Sequence, residues 1–268
     1  MVEDKLNTME LLTFPLLEKE IKIQHFISTR HGGVSAGNYA SLNLSVKVDD
    51  ATDHIKENRK RIAGKLNIDT TNLVFPDQCH TDTVQIIRNS WNSTELKKTD
   101  ALITNERGIC LCVLTADCVP VLLYDRNKRV IAAVHAGWKG TASRIVSRTV
   151  ERMIKVFATK PRDIVAGIGP AISQPRYEVG DEVATQFHFL FHDHPEILWK
   201  NPKTGKLHID LQLSNRILLL RAGLTQEQIE TMNICTFDNP DLFFSARRDG
   251  IMCGRFCAGI MLIKNGRI

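Results

Sequence analysis

Apolar and polar positions fall in blocks along this chain, and the period inside the blocks changes from its start to its end. "IQHFISTRHGG" (23–33) runs from strand-like alternation into a glycine turn, and "SAGNYASLNLS" (35–45) is small and polar enough to be a loop lining a pocket. "DATDHIKENRKRIAGKLNI" (50–68) sets Ile55, Ile62 and Leu66 among charges, the spacing of a surface helix capped by Asp50 or Thr52. From residue 73 the pattern predicts strands: "LVFP", "TVQII", "ALIT", "GICLCVLT", "VPVLLYD" and "RVIAAVHAG" are short β-branched runs broken by turn residues. Helical spacing returns in "TASRIVSRTVERMIKVF" (141–157), where Ile145, Val146, Val150, Met153, Ile154 and Phe157 recur on one face. "DIVAGIGPAI" reads as a strand entering a glycine and proline loop. "GDEVATQFHFLF" and "DLQLSNRILLLRAGL" read as helices, each opened by an aspartate, and "TQEQIETM" as a third. "FCAGIMLIKNGRI" closes the chain as a strand with an Asn-Gly turn near the terminus.

Strands that arrive in groups, as well as alternating with helices, argue against a purely parallel doubly wound sheet. No period between about 20 and 50 residues repeats and no low-complexity linker intervenes, so residues 1–268 read as one α/β (α+β) domain of mixed sheets. The composition, 43% hydrophobic and 24% charged, is that of a soluble globular protein. The longest apolar window, 109–124, is broken by Thr115 and Asp117 and is shorter than the roughly 20 residues of a membrane span, so no membrane partner is expected. "MVEDKLNTMELL" lacks the basic flank and apolar run of a secretory signal, which places the protein in the cytoplasm. The seven cysteines form an odd set without a paired framework and read as reduced thiols. The net charge of +5 is spread along the chain with no basic run interleaved with aromatics, so nucleic acid is not an expected partner. A few arginines converging on an anionic substrate account for the excess equally well. Monomer and homodimer are both open.

"TADCVPVLLYD" (115–125) places an aspartate and a cysteine inside apolar sequence, where a charge is costly unless it is paired or bound. Three segments share this character: "DQCHTDTV" with His80, "TADCVP" with Cys118 and "AVHAGWKGT" with His135. Their separations of 38 and 17 residues exclude a zinc-finger knuckle and suit a site assembled from separate strands. Two neutral imidazoles and one thiolate would hold zinc with a fourth position open for water or substrate, and copper accepts the same ligands. A histidine in a strand is otherwise a hydrogen-bonded residue, and a cysteine among Val and Leu a small hydrophobe.

"TADCVPVLLYD" and "AVHAGWKGT", with "STRHGGVSAGNYASLNLS" upstream, "QCH" between and "GIGPAISQPRYEVGDEV" after, resemble the YfiH/YlmD family of laccase-domain, polyphenol-oxidase-like proteins over roughly residues 23–263. The resemblance implies a single-domain fold of helices outside paired mixed sheets, related to the cytotoxic necrotizing factor catalytic domain. It implies a zinc site on His80, Cys118 and His135. It further implies purine nucleoside chemistry: phosphorolysis of adenosine, inosine and guanosine, cleavage of methylthioadenosine, and deamination of adenosine.

Deamination needs a hydroxide at neutral pH and a proton shuttle. Asp117, beside Cys118, is a candidate for the shuttle, and equally a buried partner for an arginine or for backbone amides. Phosphorolysis needs an anion holder, for which Arg30, Arg247 and Arg248 are the candidates. Ser41 and Asn43 either hydrogen-bond the sugar or base, or cap their own loop. The family commonly has a tyrosine between the serine and arginine of "FSARR", where this chain has Ala246. Cys253 and Cys257 read as structural, and the glycines of "GIGPAISQ" suit either a phosphate or a turn. Two other readings stand beside the nucleoside enzyme. One is a copper-dependent polyphenol oxidase, although nine scattered histidines do not readily supply several copper centres. The other is a metal-free hydrolase with Cys118 as nucleophile and His135 as base.

Overall fold

The computed structural model describes residues 8–88 and 96–263. Two mixed sheets lie face to face. The first runs β1 (Leu11–Leu12), β2 (Ile23–Ser28), β14 (Phe256–Leu262), β6 (Cys110–Thr115), β3 (Leu73–Val74). The second runs β13 (Ile229–Thr231), β9 (Ile164–Ile168), β7 (Val119–Asp125), β8 (Val130–Ala136), β5 (Ala101–Thr104), β4 (Val84–Ile86). Neighbours are antiparallel except β3 with β6, β4 with β5 and β13 with β9. This is the mixed pairing that grouped strands predict. A small antiparallel sheet of β10 (Glu178–Val179), β12 (Leu207–Ile209) and β11 (Leu198–Lys200) stands apart from both.

Side-chain alternation builds the layers. Along β7, Val119, Val121 and Leu123 face the helices, while Leu122 and Tyr124 face the other sheet. There they meet Leu111 and Val113 of β6 and Phe256, Ala258 and Ile260 of β14. Strands buried on both faces need apolar residues at every position, which is why they read as continuous hydrophobic runs. The outer face of the second sheet is covered by α4 (Ile145–Phe157), α5 (Asp181–Leu190) and α6 (Leu211–Arg221). The outer face of the first sheet, with Phe26, Cys112, Cys257 and Met261, packs on Ile62, Ala63 and Leu66 of α2 (Thr52–Leu66). Short helices α1 (Pro15–Glu18), α3 (Trp138–Ala142) and α7 (Ala246–Asp249) complete the chain.

Several elements differ from their sequence expectation. The helix predicted over 141–157 is two helices, α3 and α4, separated at Arg144, whose φ of 61° is left-handed. Neither Asp50 nor Thr52 caps α2. Ala51 holds that position without a side-chain bond, because the Asp50 carboxylate accepts from Ser35 and Asn43 instead. "TQEQIETM" is not a helix. A single 3₁₀ turn at Gln226–Gln228 leads into β13, which pairs in parallel with β9 and supplies β-branched Ile229 and Thr231 to its edge. The Gln228 side chain holds the turn through the Pro161 and Ile164 carbonyls. The Asn-Gly turn near the terminus lies outside the described residues. Cys253 packs between the two sheets and Cys257 on the far side of the first, so these thiols do not share an ion.

Candidate metal centre

β6 ends in the first sheet and β7 begins in the second, so "TADC" is the step between sheets. Thr115 Oγ1 donates to the Cys118 carbonyl at 2.5 Å, and Asp117 takes a φ of 90°, which turns the chain sharply. On β8 the parity that sends Val134 and Ala136 toward the helices sends His135 to the other face. His80 stands on the connection from β3 to β4 at a left-handed φ of 58°.

The ligand atoms of His80, Cys118 and His135 all lie within 4.8 Å of one another. Cys118 Sγ is 3.8 Å from His80 Nε2, and the two imidazole rings meet edge to face at 5.0 Å. His135 is buried, Cys118 half-buried and His80 exposed, so the donor set opens on the His80 side.

Asp100, fully buried at the start of β5, organises the set. Its carboxylate accepts from the backbone N–H groups of Cys79, His80 and Thr81 at 3.0, 3.1 and 2.8 Å, and from Thr81 Oγ1 at 2.9 Å. His135 Nδ1 is 2.8 Å from Asp100 Oδ1. A carboxylate only accepts, so Nδ1 carries the proton and Nε2 is left as the ligand atom. Burial opposes ionisation of Asp100, but the His135 bond and the amides overcome it and hold the carboxyl well below the usual range. Burial likewise opposes the Cys118 thiolate, yet His135 and His80 pull the thiol down to about 6. Burial disfavours the His135 cation, while Cys118 and Asp100 raise it to about 9. A ready thiolate, a histidine with its tautomer fixed and an accessible second histidine fit a zinc ion that keeps one position open.

Gly137 explains the glycine of "HAGW". A Cβ there would lie 2.9 Å from both Cys118 Sγ and His80 Cδ2. The glycines of "GIGPAISQ" serve packing: a Cβ at Gly167 would strike the Phe14 ring at 2.6 Å, and one at Gly169 would strike Pro120 at 2.7 Å.

The remaining candidates separate by what they touch. Both Asp117 oxygens accept internal bonds, from Thr236 Oγ1 at 2.6 Å and the Arg247 N–H at 2.7 Å, the contacts of a buried partner for a hydroxyl and a backbone amide. Asp117 thereby ties the start of α7 to the residue beside Cys118. Arg247 is exposed, with its guanidinium 5.1 Å over the Tyr177 ring and one N–H on the Glu178 carbonyl. Arg248 instead forms a bidentate pair with Asp249 and donates to the Thr236, Phe237 and Phe243 carbonyls. Arg30 bridges the Ala40 and Pro240 carbonyls above Phe244. Ser41 is bonded to the Arg30 carbonyl and Gly33 N–H, and fully buried Asn43 to Ser45, Asp50 and Arg255. These four side chains knit loops together. Tyr177 and Asp100 are the residues that sequence reasoning missed. Asp100 carried the same signal as Asp117, an acid at the edge of an apolar run.

A family model described as multi-copper polyphenol oxidoreductase laccase matches residues 24–263. A Bacteroides thetaiotaomicron protein named purine nucleoside phosphorylase is 42% identical over 95% of this chain and 97% of its own. A protein from an unknown prokaryotic organism, named adenosine deaminase RL5, is 39% identical over 90% of this chain and 95% of its own. The crystal structure of the Bacillus licheniformis hypothetical protein YfiH matches with a TM-score of 0.88 at 33% identity, covering 96% of this chain and 98% of that one. With the layered fold and the His-Cys-His set in place, these matches establish that the chain belongs to the laccase-domain family of YfiH and YlmD.

Proposed function

We propose that this chain is a zinc-dependent purine nucleoside enzyme, acting as one domain over residues 1–268. It cleaves adenosine, inosine, guanosine and methylthioadenosine with phosphate to give the base and (methylthio)ribose 1-phosphate, and deaminates adenosine to inosine. The observation that carries this reading is the open His80, Cys118 and His135 donor set, with the Arg247 and Tyr177 pair on the chain that Asp117 ties to it. The names of the relatives, phosphorylase and deaminase, support it.

A bound ion supplies Lewis acidity, enough to bring the pKa of water from about 16 to about 7. Copper suits the same imidazole and thiolate donors. The rest falls to the chain's own groups. Arg247 keeps guanidinium donors beyond the one on Glu178 and holds the phosphate. The Tyr177 ring backs that guanidinium and offers an aromatic surface to the purine. Burial, followed by the Cys118 and Asp117 charges, pushes the Tyr177 phenol up, so it remains a neutral donor near the leaving base. Seven cysteines without a disulfide suit a reducing compartment, and we place the protein in the cytoplasm. Among the described residues no helix is long and apolar enough to cross a membrane.

The test is incubation with adenosine, with and without phosphate, resolving adenine and ribose 1-phosphate from inosine. Phosphate-dependent adenine release whose phosphate KM rises at least tenfold in Arg247→Ala is expected; phosphate-independent products alone would remove the phosphorylase. The lowered Cys118 thiol beside the raised His135 also favours a second reading, a Cys118 and His135 hydrolase. Its signature is turnover that survives complete metal removal.

A further inference from the structure

Helix α3 (Trp138–Ala142) begins at the edge of the metal centre. Gly137, at its N-cap, lies against Cys118 Sγ and His80 Cδ2 too closely for a side chain. Gly140 brings the same helix close to the segment that Asp100 cradles: a Cβ there would lie 3.2 Å from the Thr81 carbonyl oxygen and 3.6 Å from that of His135. The position of α3 therefore decides where Gly137 presses on two of the three donors. Five residues are too few to hold a helix by its own hydrogen bonds, since nucleation costs more than a single turn returns, so its place is fixed by what it touches.

The polar part of that contact comes from α6. Gln212 fastens α6 to the second sheet by donating to the Gly169 and Met232 carbonyls, just beyond β9 and β13, at 2.7 and 2.8 Å. Arg216 adds the Ile229 carbonyl at 3.0 Å. Between them in sequence Asn215 is fully buried, and its Nδ2 donates to Thr141 Oγ1 of α3 at 3.0 Å and to the Leu211 carbonyl at 2.8 Å. Thr141, also fully buried, donates its backbone N–H to the Gly137 carbonyl at 2.8 Å. The bonds thus run from the sheet through α6 and Asn215 to Thr141, and so to Gly137. Asn215 Oδ1 has no partner among the described residues. A buried acceptor left unmade destabilises a fold, and an apolar residue of the same size would avoid that penalty. Asn215 is a poor residue for packing here and a good one for holding Thr141. We infer that Asn215 and Thr141 are positioning residues of the metal centre, holding α3 at the depth where Gly137 keeps Cys118 and His80 at ligand spacing. The inference rests on the zinc reading of the donor set and concerns how closely that set is kept.

Asn215→Leu combined with Thr141→Val replaces both partners by apolar groups of similar shape, an exchange that alters stability little. Zinc affinity, read by competition with a chelator, should fall about tenfold in this paired variant, while the thermal midpoint of the metal-free protein stays the same or rises. Thr141→Val alone should act in the same direction, and Thr141→Ser, which keeps the hydroxyl, should bind zinc as the unaltered protein does. Amide exchange of the metal-free protein gives a second readout. The N–H groups of Thr141 and Ser143, which close the turns of α3, should exchange at least tenfold faster in the paired variant while those of β8 keep their protection. Unchanged zinc affinity in the paired variant, equal losses in Thr141→Val and Thr141→Ser, or a fall in thermal midpoint that accompanies the lost affinity would overturn the assignment. Failure of the unaltered protein to bind zinc would instead remove the zinc reading, and exchange in α3 would then decide the hold of Asn215 by itself.

Discussion

Asp100 shows how much of the centre depends on a residue that touches no substrate. One carboxylate fixes the backbone that carries His80 and the tautomer of His135, so neutralising it disturbs two ligands together. Asp100→Asn should keep the fold and lower zinc affinity 10–100-fold, read by competition with a chelator. Gly137 acts by what it lacks: in Gly137→Ala the added methyl must move the His80 ring or the Cys118 sulfur, so metal affinity should fall while thermal stability changes little. Unchanged zinc affinity in that variant would show that the ligands shift freely. At this scale the sequence made His80, Cys118 and His135 legible because ligand-type side chains at strand ends are unusual in apolar surroundings. Arg30, Arg248, Ser41 and Asn43 were ambiguous because an arginine or a small polar residue looks the same whether it meets a substrate or a backbone carbonyl. Only their neighbours, far along the chain, distinguish the two.

Among the elements, the "TADC" step does most to build the site, since it passes the chain from one sheet to the other and positions Cys118 on the way. Asp117 couples that step to α7 through the Arg247 N–H and to the preceding segment through Thr236. Asp117→Asn should therefore retain bound metal and raise the phosphate KM as Arg247 loses its anchor. Loss of metal without a change in KM would contradict that role. The loop at 35–45 rests on Asn58 of α2, which is fully buried and bonds Val34, Ser35 and the Asn43 carbonyl. Asn58→Ala leaves several buried polar groups without partners and should lower stability by about 2 kcal/mol in denaturant unfolding. The buried strands and α2 were legible from period and length. β13 was not, because its three residues gain their conformation from pairing with β9, and no local pattern records that edge. The break between α3 and α4 was hidden for a similar reason: Arg144 in a left-handed conformation leaves no mark in helical periodicity.

For the molecule as a whole, proton and metal compete for the same atoms. His135, raised to about 9, must lose its proton for Nε2 to bind an ion, whereas Cys118, lowered to about 6, is already a thiolate at neutral pH. Zinc affinity should accordingly rise about tenfold per pH unit between pH 6 and 9, and more steeply below 6, where Cys118 also carries a proton. A flat profile across pH 6 to 9 would contradict this coupling. The layered sheets provide the rigid frame for the exchange, since Cys118 and His135 sit at the ends of neighbouring, fully buried strands. The most direct measurement is product formation from adenosine and phosphate by metal-quantified protein, comparing the unaltered chain with Cys118→Ala and His135→Ala. Zinc content and both products should vanish together in the two variants while their far-UV circular dichroism stays the same; full phosphorolysis by either variant would contradict the metal-centred account.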